Sequence, residues 1–265
     1  MKSAATAHDA LPGDPPTTDA KNSFYKDVLT SLIGAEIPFL VGGAYAFRYY
    51  TGIVRDTKDL DLFLRSSDQA RAMTLLANRG YPTEHTAPHW LTKIRHEREY
   101  VDLIVGLANG IGTVTDSWFD AAVPNELFGI PVRLIPAEEM LWSKAFIFER
   151  DRFDGADINH LIRAQGSKLD WRRLRDLFGD QWPVFLAHLV MYRYVYPAER
   201  DAVPEWLWKD LLLKAESQLS ERGPADVCYG TLLARTQYQV DVEQWKYADA
   251  RVVPYGRLSA HQASQ

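Results

Sequence analysis

Hydrophobic positions recur along this chain with two periods, and the shift from one to the other organises it. Phe24, Val28, Leu29 and Leu32 share one helical face that stops near Gly34, where a glycine cap ends a helix. A short apolar run from Pro38 to Val41 predicts a strand, which breaks at Gly42-Gly43 before a helix-like stretch from Ala44 to Tyr50. Lys58 to Leu64 alternates with period two. Asp59, Asp61 and Phe63 fall on one face and Leu60, Leu62 and Leu64 on the other, so the leucines point inward. Residues 67–79 predict a helix ended by Gly80, followed by a strand at Trp90–Ile94 and a stronger one at Glu99–Val105. In the latter, Val101, Leu103 and Val105 oppose Tyr100, Asp102 and Ile104. Leu127–Gly129 predicts a turn, Ile130–Leu134 a strand, and Pro136 the opening of a helix over Glu138–Phe148.

Beyond residue 136 strand signals fade, and helices are expected at Ile158–Ala164, Trp171–Leu177, Val184–Tyr194 and Trp206–Leu219. Strands first and helices afterwards indicate an α+β first half and a mainly helical second half. Residues 1–22 are small and polar with Pro12, Pro15 and Pro16 close together, and read as a disordered arm. The expected divisions are a first domain over 23–135, a helical C-terminal domain over 136–250 and a flexible tail over 251–265.

Composition narrows the class. Of 265 residues, 46% are hydrophobic and 25% charged, which is ordinary for a globular protein. The formal net charge of −5 gives no general attraction to nucleic acid or to an anionic membrane. Cys228 is the single cysteine, which excludes an intrachain disulfide and a Cys-rich zinc site and points to a reducing, cytoplasmic setting. The opening residues lack the apolar centre of a signal peptide, and no stretch approaches the ~18 apolar residues of a membrane span.

The chemistry concentrates in Phe39–Leu64. Two aspartates at i and i+2 on a strand project their carboxylates to one side, where both reach a magnesium ion that keeps coordination free for substrate phosphates. The solvated face of an edge strand also carries such a pair. Two features count against that reading. Gly42-Gly43, between strand and helix, leaves backbone N–H groups open to a phosphate. Asp102 interrupts a strand that is otherwise apolar; beside Lys58–Leu64 it makes three carboxylates, enough for two metals. Arg55, Lys58 and Lys144 are available cations, although Lys58 sits where it can face away.

These segments resemble the nucleotidyltransferase superfamily, which includes DNA polymerase beta, aminoglycoside nucleotidyltransferases and the AbiEii-type and MNT-type proteins of toxin–antitoxin systems. The resemblance rests on the strand-Gly-Gly-helix opening, on Arg55-Asp-Thr-Lys-Asp-Leu-Asp61 and on Asp102 in Tyr-Val-Asp-Leu-Ile, and spans about residues 36–165. The form with Thr57 ahead of the carboxylates is closest to the AbiEii-type branch. The resemblance implies a small mixed β-sheet flanked by helices, with the catalytic domain in 23–135. It also implies two magnesium ions on Asp59, Asp61 and Asp102, with Asp102 as base toward an acceptor hydroxyl. Gly42, Gly43, Arg55, Thr57, Lys58 and Lys144 would contact the nucleoside triphosphate, and Asp154 and Asp157 match a later K-D-x-x-D segment, with Phe153 where the family carries lysine.

The implied activity transfers a nucleoside monophosphate to a hydroxyl of unknown identity on a small molecule, a tRNA or a protein, with release of pyrophosphate. A catalytically silent relative acting by protein binding, as in a toxin–antitoxin pair, is the alternative. His85 and His89 have helical metal spacing, but Pro82 and Pro88 oppose a helix there. The aromatic stretch Met191–Trp208 reads as helical core rather than as a base-stacking surface.

Overall fold

The computed structural model describes residues 19–264 except 88, 221, 222 and 225. The expected arm at 1–22 lies outside the described residues up to residue 18, and residues 19–22 open the first helix. That helix, α1 (Asp19–Gly34), buries Phe24, Tyr25, Val28, Leu29 and Leu32, the face expected from the periodicity with Tyr25 added. The chain continues through β1 (Leu40–Val41), α2 (Gly43–Thr51), β2 (Asp59–Phe63), α3 (Ser66–Asn78), β3 (Thr83–Ala87), β4 (Leu91–His96) and β5 (Glu99–Ile104). Then follow α4 (Asp116–Asp120), β6 (Val123–Leu127), β7 (Ile130–Leu134), α5 (Ala137–Lys144) and α6 (Gly155–Gln165). The rest is α7 (Trp171–Phe178), α8 (Trp182–Val195), α9 (Glu205–Ser217), β8 (Val227–Cys228), α10 (Gln239–Glu243), β9 (Ala248–Asp249) and α11 (Ala260–Ser264).

The architecture is α+β. Among the described residues β1–β7 form one mixed sheet of seven strands in the order β3-β4-β5-β2-β1-β7-β6, and β8 pairs with β9 separately. β2 runs parallel to β5 in the register Asp59↔Tyr100 and Asp61↔Asp102, while β1 is antiparallel to β2 and parallel to β7. Leu60, Leu62, Val101 and Leu103 are buried, so one face of the central strands is core and the carboxylates share the other.

The helices hold this sheet in place. α2 packs against β2, α5 and α6, and α1 against α3 and β7, around one continuous hydrophobic core. The helix expected at Glu138–Phe148 ends at Lys144, because Phe148 is drawn off to pair with Phe153 and donates its N–H to the Leu233 carbonyl. β3 and β6 lacked a periodic signal, since β3 is polar and irregularly paired and β6 carries Pro124. Residue 85 lies in β3, so the His85/His89 spacing is not helical. Within Met191–Trp208, Tyr192 and Trp208 are buried in the helical half, whereas Tyr194 is exposed. Residues 251–264 include α11 and a bridge between Val252 and Leu258, and Arg251 is buried and donates to the Ala263 carbonyl. No described helix is long and apolar enough to cross a membrane.

One buried charge links α5 to α7. Glu139 is fully buried; Arg173 pairs with its Oε1, and its Oε2 has no partner. Burial pushes this carboxyl from its ordinary 4.5 up to about 7, against the pull of Arg173. A raised folded-state value means that the unfolded chain releases the proton first, so stability falls as pH rises through this window. Relative to Glu139→Gln, the wild type should lose about 3 kcal/mol of unfolding free energy between pH 4.5 and 7. Urea unfolding across that range checks this, and parallel curves for the two proteins would contradict it.

Candidate active site

The parallel register of β2 and β5 sets Asp61 directly beside Asp102, with Asp59 two residues before Asp61 on the same face. One carboxylate oxygen from each of Asp59, Asp61 and Asp102 lies within 4.8 Å of the others. Asp102 is buried and the other two are half-buried. Burial, then Asp59 and Asp102, push the Asp61 carboxyl up to about 7. Burial also raises Asp102, opposed by a hydrogen bond from Lys93. Thr57 donates its hydroxyl to Asp59 Oδ1, which fixes that carboxylate.

Gly43 opens α2 at φ +53° and abuts the triad. A Cβ there would collide with Asp61 Oδ2, so only glycine leaves this carboxylate its place. Gly42 donates its N–H to the Asp61 carbonyl at 2.9 Å, and its α-carbon faces the Phe63 ring and Ile135. No side chain caps the start of α2, which leaves first-turn N–H groups for a ligand.

A second charged group lies along the same cleft. Arg55 holds Asp157 with two bonds of 2.8 and 2.5 Å, and Lys144 lies 2.7 Å from both Asp154 and Asp157. Arg152 completes the chain with two bonds of 3.2 Å to Asp154. Burial raises both aspartates, but hydrogen bonds from Arg152 and Lys144 to Asp154, and from Arg55 and Lys144 to Asp157, more than offset it and hold them below the ordinary range. The cleft has a volume of about 790 Å³ and is lined by the triad, Gly43, Arg55, Thr57, Lys144 and Arg152. Residues Leu233, Arg235 and Arg251 of the C-terminal segment also line it.

The expected residues therefore fall into two groups. Asp59, Asp61, Asp102, Gly43, Arg55, Thr57 and Lys144 share the cleft, while Gly42 is turned toward Phe63 and the exposed Lys58 is not among the lining residues. Two charged residues escaped sequence reasoning. Lys93 bonds Asp102, and Arg152 stands one position before Phe153, where the resembled family carries its lysine. Their only signal was a basic residue on a short strand and one in a turn.

No protein-family model matches the chain, and none of the curated proteins is similar to it. Several solved structures are. ANT(2'')-Ia in complex with adenylyl-2''-tobramycin is 16% identical over 62% of this chain and 99% of its own, with a TM-score of 0.47. The lincosamide antibiotic adenylyltransferase LnuA, lincomycin-bound, is 19% identical over 54% of this chain and 96% of its own, with a TM-score of 0.38. An antigenic nucleotidyltransferase-like protein from Paracoccidioides brasiliensis is 18% identical over 71% of this chain and 96% of its own, with a TM-score of 0.45. At such identities, and with TM-scores below 0.5, these likenesses carry no weight for activity.

Depressed carboxyl values contribute stability that is present above the ordinary value of 3.8 and is lost as pH falls below it. Asp157→Asn should lower unfolding free energy at pH 7 by about 2–3 kcal/mol, less than a fully buried pair because Arg55 is 42% exposed. The variant should also lose less stability than wild type on acidification to pH 3, which chemical denaturation at both pH values checks.

Proposed function

We propose that this protein is a magnesium-dependent nucleotidyltransferase of polymerase-beta-like fold, transferring a nucleoside monophosphate from a nucleoside triphosphate to a hydroxyl acceptor. The observation that carries this reading is the convergence of three carboxylates from two strands against a glycine helix start. Like charges at this range repel, and burial strips their hydration. The donor set is entirely carboxylate oxygen, the hard-ligand chemistry that magnesium takes. Among the described residues no hydrogen bond or ion pair reaches the Asp61 carboxylate, while Lys144 and Arg152 act on it only through their charge. The site thus fits a divalent ion, which Asp59 and Asp61 would hold.

When bound, the ion would neutralise triphosphate charge and polarise the α-phosphate. The protein's own groups supply the rest. Backbone N–H groups at the start of α2 donate to phosphate oxygens, and Lys144 and Arg152 place positive charge along the cleft. Asp102 takes the proton of the acceptor hydroxyl as its oxygen attacks the α-phosphorus in line. A new P–O bond forms, the α–β bridging bond breaks, and pyrophosphate leaves with the bond's electrons. The division at residue 136 gives the first half the carboxylates, while α5, α6 and the C-terminal segment furnish the wall facing the acceptor. The supply of nucleoside triphosphates makes the cytoplasm the compartment for this reaction.

Incubation with labelled triphosphates, magnesium and a panel of hydroxyl acceptors should give label transfer and pyrophosphate. Asp59→Ala/Asp61→Ala should reduce transfer at least ~100-fold. Transfer that persists in this variant would refute the site, and absence of transfer with every acceptor would favour a binding role. Gly43→Ala should impair transfer on a comparable scale with the protein still folded by circular dichroism, because the added methyl displaces Asp61.

A further inference from the structure

The triad already contains one cation of the protein's own. β4 and β5 pair antiparallel with Lys93 opposite Asp102, so both side chains stand on the carboxylate face of the sheet. Lys93 Nζ lies 2.8 Å from each Asp102 oxygen, and the two side chains are only 24% and 10% exposed. Among the described residues Lys93 is the basic side chain that bonds Asp102. Arg95, two residues along the strand, pairs with Glu84 and lies over the Tyr100 ring. Arg55, Lys144 and Arg152 are engaged by Asp154 and Asp157. Among the described residues Asp59 receives only the Thr57 hydroxyl from a side chain.

We propose that Lys93 is the resident counter-ion of the third carboxylate and stands in for a second divalent ion, leaving Asp59 and Asp61 to hold a single metal. This rests on the metal-binding reading above and replaces the two ions expected from sequence. Three negative carboxylates are balanced by one ammonium and one divalent ion. A second divalent ion at Asp102 would have to sit on lone pairs beside the half-buried Lys93 ammonium, 2.8 Å from the same oxygens, where two cations repel. Lys93 is then a positioning residue for Asp102. It holds both oxygens in one orientation, and the lone pairs it does not use remain open to an acceptor hydroxyl.

Titration with Mn2+ alone, followed by the electron paramagnetic resonance signal of the free ion, tests this without activity as a readout. Wild type should bind one ion per chain, and Asp59→Asn should abolish it. Lys93→Met should bind a second ion, or bind the first at least ~5-fold more tightly. Lys93→Arg, which keeps the charge, should behave as wild type, and thermal unfolding of each variant shows that it is folded. Two ions on wild type, or equal count and affinity in wild type and Lys93→Met, would overturn the role of Lys93. Binding that Asp59→Asn leaves intact would instead overturn the metal site itself.

Discussion

The parallel pairing of β2 with β5 is the constraint on which the site depends. It places Asp61 next to Asp102 while Leu60, Leu62, Val101 and Leu103 bury the opposite face. A shift of one residue between these strands would turn the leucines outward and scatter the carboxylates. The core therefore enforces the proximity that electrostatics alone opposes, and repulsion among the carboxylates is stored in a register fixed by apolar burial.

The surroundings divide the remaining charges between structure and chemistry. Arg55, Lys144 and Arg152 link the β2 approach, α5 and the turn before α6 through Asp154 and Asp157, so each cation on the positive side of the cleft is paired with a carboxylate. Lys93 does the same on the other flank by fixing Asp102 from the neighbouring strand. The loop at Asn109 is tied to the C-terminal segment through the Leu232 carbonyl, which brings residues beyond 226 to the cleft wall.

Local patterning made much of this visible. Alternation through Lys58–Leu64 identified the Asp59/Asp61 face, and a carboxylate inside an apolar strand singled out Asp102, because both are properties of a few adjacent residues. The pairing of these strands was open, since it depends on contacts about forty positions apart. Lys93 and Arg152 were silent for another reason: their aspartates lie only nine and two positions away, and which side chains meet depends on the β4–β5 register and on the turn before α6. The short β8 and β9 and the cleft-lining segment after residue 226 have no period to read, and α5 ends early because of Phe148's long-range partner rather than any local stop signal.

The most direct measurement of the central claim is a diffraction experiment on crystals soaked in Mn2+, locating the ion by its anomalous scattering. The account predicts a peak between the Asp59 and Asp61 carboxylates at ~2.1 Å from their oxygens. A peak bound elsewhere with that pair bare, or carboxylates splayed apart from Asp102, would contradict it.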